Sequence, residues 1–141
     1  MINIAEQIPN FEGFDLQEAL VRSDDLEGYP TILLFFKNLT DVAELSSLYN
    51  DYLADFGIFE TQVVGISTAD KESLQNLATT SHLHFPLILD PEGKIFSLFR
   101  VETDTAAFIV DWDKTIRWIE APIIMERHID RLMDALEENC G

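Results

Sequence analysis

Few side chains in this chain could do chemistry, and their spacing narrows what that chemistry would be. The one cysteine, Cys140, is the penultimate residue and follows Glu137 and Glu138. Neighbouring carboxylates oppose thiolate formation, so Cys140 is expected to be incidental or to form an intermolecular disulfide rather than to act as a displaced nucleophile. A single cysteine also excludes an internal disulfide and a cysteine-based zinc site. His82 and His84 could offer two metal ligands, but spacing supplies no third. His128 is expected on the surface of the last helix. The remaining pair is Asp41 and Glu44, three residues apart at the start of a helical segment. That is the spacing of an N-cap and an N3 acid, which satisfy the backbone N–H groups of a first turn. None of these groups implies a metal or other cofactor.

Hydrophobic patterning supplies the elements that position these residues. Pro30 leads into Thr31-Ile32-Leu33-Leu34-Phe35-Phe36, a near-continuous apolar run that reads as a central strand buried on both faces. Its end feeds the segment carrying Asp41 and Glu44, and in open α/β sheets ligands gather where strand ends meet helix N-termini. Leu45, Leu48, Tyr49, Tyr52, Leu53 and Phe56 then form the stripe of one amphipathic helix, ended by Gly57. Gln62 to Ser67 reads as a second buried strand, and Thr68 or Asp70 as the cap of a helix carrying Leu74, Leu77 and Ala78. Pro86 to Leu89 is a third strand, stopped by the turn Asp90-Pro91-Glu92-Gly93. Ile95, Phe96, Leu98 and Phe99 make a short helical or irregular apolar piece. Ala106 to Asp111 and Thr115 to Ile119 form an antiparallel hairpin around Trp112-Asp113-Lys114. A last helix from about Met125 buries Ile129, Leu132, Met133 and Leu136. Residues 4–14 suit an edge strand or hairpin, and residues 24–30 a turn-rich connector. The order predicts an α/β protein of thioredoxin-like fold, a single domain over residues 1–141. It would have a central mixed β-sheet flanked by helices and an N-terminal β extension.

Composition sets the class of partner. The chain has 141 residues, 47% of them hydrophobic and ten of them Phe, enough for a real core without staples. Nine Lys and Arg against 26 Asp and Glu give a formal charge of −17, a field that repels phosphate backbones and anionic lipid. No nucleic acid and no membrane partner is expected. The charge is spread along the chain, which favours solvation over a dedicated tract; its functional reading is the steering of a basic partner. No basic flank precedes an apolar run and no stretch approaches the ~20 apolar residues of a membrane span, so a cytoplasmic location is expected.

Between Val63 and Val101, the motifs Val-Val-Gly-Ile-Ser-Thr-Ala-Asp, Glu72-Ser73 and His84-Phe85-Pro86-Leu87-Ile88-Leu89-Asp90-Pro91-Glu92-Gly93-Lys94 resemble one family closely. That family is the peroxiredoxins of the bacterioferritin-comigratory-protein, or Q, type within AhpC/TSA. The resemblance extends more weakly to Ile8-Pro9-Asn10-Phe11, Leu33-Leu34-Phe35-Phe36 and Phe108-Ile109-Val110-Asp111. It implies a thioredoxin fold with the peroxiredoxin N-terminal extension, and a thiol peroxidase whose chemistry sits at the end of the Thr31 to Phe36 strand. There the family carries Pro-x-x-x-Thr-x-x-Cys followed by Glu, placing a thiolate in the first helical turn, where N–H groups and the dipole stabilise it. An arginine from a distant strand helps to hold the peroxide.

This sequence departs from that pattern at each decisive position. Lys37 stands for the proline, and Thr40 and Glu44 are four residues apart where the motif separates them by six, so about two residues of loop are missing. Anchoring on Thr40 puts Ala43 at the cysteine position; anchoring on Glu44 puts Asp41 there. Neither can replace a thiolate as a soft nucleophile. The resolving cysteine of some Q-type members maps to Ser46, and the arginine to Thr105. The resemblance thus implies a vestigial site formed by Thr40, Asp41, Ala43, Glu44 and Thr105, with no catalytic residue. Leu39 in the shortened loop and Trp112 at the hairpin tip are candidate interface residues. The leading expectation is a peroxiredoxin-like binding or regulatory module, as a homodimer or with a protein partner. The alternatives are a thiol oxidoreductase using Cys140 or a partner thiol, and a small-ligand binder whose vacated pocket is lined by Leu39, Thr40 and Thr105.

Overall fold

Ten phenylalanines and three unbroken apolar runs need two buried faces, and the computed structural model, which describes residues 1–81 and 83–140, supplies both. Strand β3 (Thr31–Phe36) is buried along its whole length at the centre of a five-stranded sheet. It pairs in parallel with β4 (Gln62–Ser67) and antiparallel with β6 (Thr105–Val110). β5 (Leu87–Leu89) lies outside β4, and β7 (Ile116–Glu120) outside β6, giving the order β5-β4-β3-β6-β7. The sheet is therefore mixed: parallel where helices make the crossovers and antiparallel at the late hairpin. Ahead of it, β1 (Glu12–Phe14) and β2 (Leu20–Arg22) form the N-terminal hairpin, and Asp15 bridges to Ile88 at the sheet edge.

Alternation along β3 divides the core. Ile32, Leu34 and Phe36 face one layer together with Val42, Leu45, Tyr49 and Leu132. Leu33 and Phe35 face the other, with Ile95, Phe96, Phe99 and Phe108. Phe35 is the hub of that second layer, its ring 5.0 Å from Phe96, 5.0 Å from Phe99 and 5.4 Å from Phe108 in edge or tilted contacts. The helices are α1 (Leu39–Asn50), α2 (Leu53–Ile58), α3 (Lys71–Ser81), α4 (Lys94–Phe99) and α5 (Met125–Cys140). Of the two candidate caps of α3, Asp70 fills the role, accepting from Ser73 N at 3.0 Å. Buried Asp90 caps α4, taking the N–H groups of Ile95 and Phe96 at 3.0 to 3.1 Å.

Four details differ from the sequence expectation. The stripe from Leu45 to Phe56 is not one helix. At Asp51 and Tyr52 the bonds tighten to the Leu48 and Tyr49 carbonyls, Tyr52 turns to φ −116° and ψ 3°, and α2 follows as a separate helix with Phe56 buried against Tyr49. Gly57 does not end the helix; it lies inside α2, and the left-handed residue is Glu60 at φ 56°. Asp41 is not the N-cap of α1, because Asn38 caps it three residues earlier than expected. His128 is not on the surface: it is fully buried, because it shares the inward stripe of α5 with Leu132 and Leu136.

Candidate functional site

Only Lys37 and Asn38 separate β3 from α1, so the strand end and the helix start meet with almost no loop between them. Lys37 N donates to Asp104 O at 3.0 Å, tying this corner to the residue before β6. Its ammonium lies 5.7 Å over the Phe96 ring, on the opposite side of the sheet from α1. Asn38 is extended, at φ −107° and ψ 157°, and its side-chain oxygen accepts from Asp41 N at 2.9 Å, while Val42 N bonds to its carbonyl at 3.1 Å. Leu39, Thr40 and Asp41 thus fill the first turn, with Asp41 at N3, where its charge meets the helix dipole favourably. Thr40 and Glu44 are exposed, Asp41 and Ala43 half-buried.

Thr105 lies opposite Phe36 at the same end of the sheet. Its hydroxyl is occupied, accepting from Ile123 N at 2.9 Å, and its carbonyl accepts from the Thr103 hydroxyl at 2.7 Å. Thr105 therefore fixes the segment that leads into α5. Ser46 is buried and lines a small apolar void between α1 and α3 with Val42, Leu74 and Leu77; its hydroxyl has no hydrogen-bond partner among the described residues. Trp112 is 59% exposed but belongs to the other end of the molecule, where its carbonyl accepts from Gly28 N at 2.8 Å. Six residues of β3 separate it from Leu39, so the two candidate interface residues do not share a surface. His84 is exposed, and His82 lies outside the described residues. Among the described residues no three His, Cys, Asp or Glu side chains gather as a metal site requires. No helix there is long and apolar enough to cross a membrane.

A second titratable group was not singled out by the sequence. His128 on α5 bridges two buried partners, its Nε2 2.6 Å from the Tyr49 hydroxyl and its Nδ1 2.6 Å from Glu120 Oε1. Arg131 stands 3.6 Å from the other Glu120 oxygen. Burial pushes the His128 pKa below its ordinary value, with Glu120 opposing the shift, and burial together with the Glu120 charge pushes the Tyr49 phenol well above its own. The imidazole is therefore neutral at pH 7, donating from Nδ1 to the carboxylate and accepting at Nε2 from the phenol. The group joins α1, β7 and α5 on the inner side of the helix that Asn38 caps. The i, i+4, i+8 spacing of His128, Leu132 and Leu136 was the signal in the sequence that could have found it.

The AhpC/TSA family model matches residues 4–119. The chain belongs to the AhpC/TSA family. Peroxidoxin BcpB from Mycobacterium tuberculosis, 19% identical, superimposes with a TM-score of 0.90 over 100% of both chains. Peroxiredoxin Q from Xanthomonas campestris is 14% identical, with a TM-score of 0.86 over 93% of this chain and 92% of that one. A cysteine-to-serine mutant of PrxQ from Xylella fastidiosa is 15% identical, with a TM-score of 0.90 over 100% of this chain and 99% of the other. No curated protein matches the chain. The thioredoxin-like AhpC/TSA fold is thus present, and its strand-to-helix junction holds Lys37, Asn38, Leu39, Thr40 and Asp41 in place of a thiol.

Proposed function

We propose that this AhpC/TSA-family chain has lost thiol peroxidase chemistry and serves as a binding or regulatory module. The observation that carries the reading is the start of α1. The first turn holds no nucleophile, and a side-chain amide already occupies the backbone donor at Asp41. A thiol peroxidase needs a thiolate there, with open donors to stabilise it and the developing oxyanion. The position of the family's arginine supports the same reading, since Thr105 carries no charge and its hydroxyl is bound to Ile123 N.

The test is peroxide consumption by the full chain with a thioredoxin reducing system, beside the Cys140→Ser variant. The expected result is no enzymatic turnover by either protein. Turnover in the parent that Cys140→Ser abolishes would overturn the proposal in favour of a thiol oxidoreductase using Cys140. Turnover that survives the substitution would overturn it in favour of a peroxidase without cysteine.

A further inference from the structure

The solvent side of α1 bears a shallow groove of about 530 Å³ between that helix and the start of α5, lined by Ala43, Glu44, Ser47, Leu48, Asp51 and Met125. Its floor is apolar, from Ala43, Leu48 and Met125, and Glu44 and Asp51 make it acidic. Leu39, 39% exposed and one turn before Ala43 on the same helix face, continues the apolar floor towards the helix start.

Charge is distributed unevenly along the part of the chain that carries α1. Residues 38–70 contain Asp41, Glu44, Asp51, Asp55, Glu60 and Asp70 and not one Lys or Arg. Six of the nine cations are paired elsewhere within the fold: Arg22 with Glu12, Lys71 with Glu18, Lys94 with Glu92, Lys114 with Asp24, Arg117 with Asp111 and Arg131 with Glu120; Lys37, Arg100 and Arg127 take part in no ion pair among the described residues. Glu44 and Asp51 take part in no ion pair among the described residues. A local excess of negative charge beside exposed apolar side chains selects its partner by sign, because only a cationic segment gains from both. A second copy, itself of net charge −17, would be repelled.

We propose that this groove docks a basic amphipathic segment of another protein. Its apolar side chains lie on Leu39, Ala43, Leu48 and Met125, and its Lys or Arg side chains meet Glu44 and Asp51. This deepens the reading of the chain as a binding module and rests on it. The helix whose start is the family's reactive corner then becomes a recognition helix, and the partner reads it as anchors on an apolar stripe with charges at the rim.

The probe is a short synthetic amphipathic helix of Leu and Lys, titrated into the isotope-labelled full chain and followed by NMR. The expected result is chemical-shift change confined to α1 and the start of α5, with affinity falling as salt is raised. The double variant Glu44→Lys/Asp51→Lys should weaken binding about tenfold, as two reversed rim charges require. A control of equal net charge, Glu102→Lys/Glu138→Lys, should bind as the parent does. Equal weakening by the control would overturn the proposal, since the attraction would then belong to the whole molecule's field. Equal binding of a Leu and Glu peptide, or no shifts on α1, would do the same. Peroxide turnover measured on the same preparation separates the two levels. Turnover removes the underlying reading, whereas no turnover with no shifts on α1 removes the docking surface alone.

Discussion

At the scale of single residues, the best-determined chemistry is structural, in the hydrogen-bonded line from Tyr49 through His128 to Glu120. Because burial holds the His128 pKa below its ordinary value of about 6.5, an unfolded chain takes up the proton before the folded one does as pH falls. The contribution of His128 to stability is therefore complete above about pH 6.5 and is lost as pH falls through its lower folded-state value. Urea unfolding between pH 8 and pH 5 should show this loss, and a His128→Asn variant, with no group titrating there, should show a shallower decline; an unchanged slope would remove His128 as its source. Tyr49→Phe leaves the buried Nε2 without its donor and should cost about 1–3 kcal/mol in the same experiment. His128 was expected on the surface, although its i, i+4, i+8 spacing with Leu132 and Leu136 carried the signal of an inward stripe. Its partners were not legible, because 79 residues separate it from Tyr49 and only the packing of α5 on α1 brings them together.

At the scale of elements, the sequence displays strands better than helix ends. β3, β4 and β6 are continuous apolar runs buried on both faces, and such runs declare themselves. The boundary between α1 and α2 does not, since the apolar spacing continues through it and the break follows from burial of Phe56. The cap of α1 was misplaced for a related reason: Asn38 and Asp41 are both good caps, and the choice depends on where β3 releases the chain. Substitution separates the two. Asn38→Ala removes the side chain that bonds Asp41 N and should destabilise by about 1 kcal/mol with little dependence on salt. Asp41→Asn removes only a charge at N3 and should cost less, with the cost shrinking as salt is added. The reverse ranking in urea midpoints would return the cap to Asp41. A further test concerns the contact between β4 and its neighbours. A Cβ at Gly65 would stand 2.8 Å from Leu87 Cδ1 and 3.0 Å from Phe36 Cζ, so Gly65→Ala should cost about 1–3 kcal/mol through overpacking.

At the scale of the whole molecule, net charge decides how the fold responds to its solvent. Nine basic residues stand against 26 acidic ones, and residues 38–70 have no cation of their own. Repulsion among the surplus carboxylates opposes the compact state, while the exposed ion pairs that salt also weakens contribute little each. Raising ionic strength from about 0.01 M to about 0.15 M shortens the screening length from about 30 Å to about 8 Å, which reaches the repulsion first. The urea midpoint should therefore rise with salt; a fall would mean that the ion pairs outweigh the repulsion. Glu44→Lys/Asp51→Lys changes the net charge by four, from −17 to −13, and inserts cations where there were none. Its midpoint at low salt should lie above the parent's, with a weaker salt dependence. That outcome would make Glu44 and Asp51 residues that weaken the helix they stand on, as expected of carboxylates whose counter-charge comes from a partner and not from the fold.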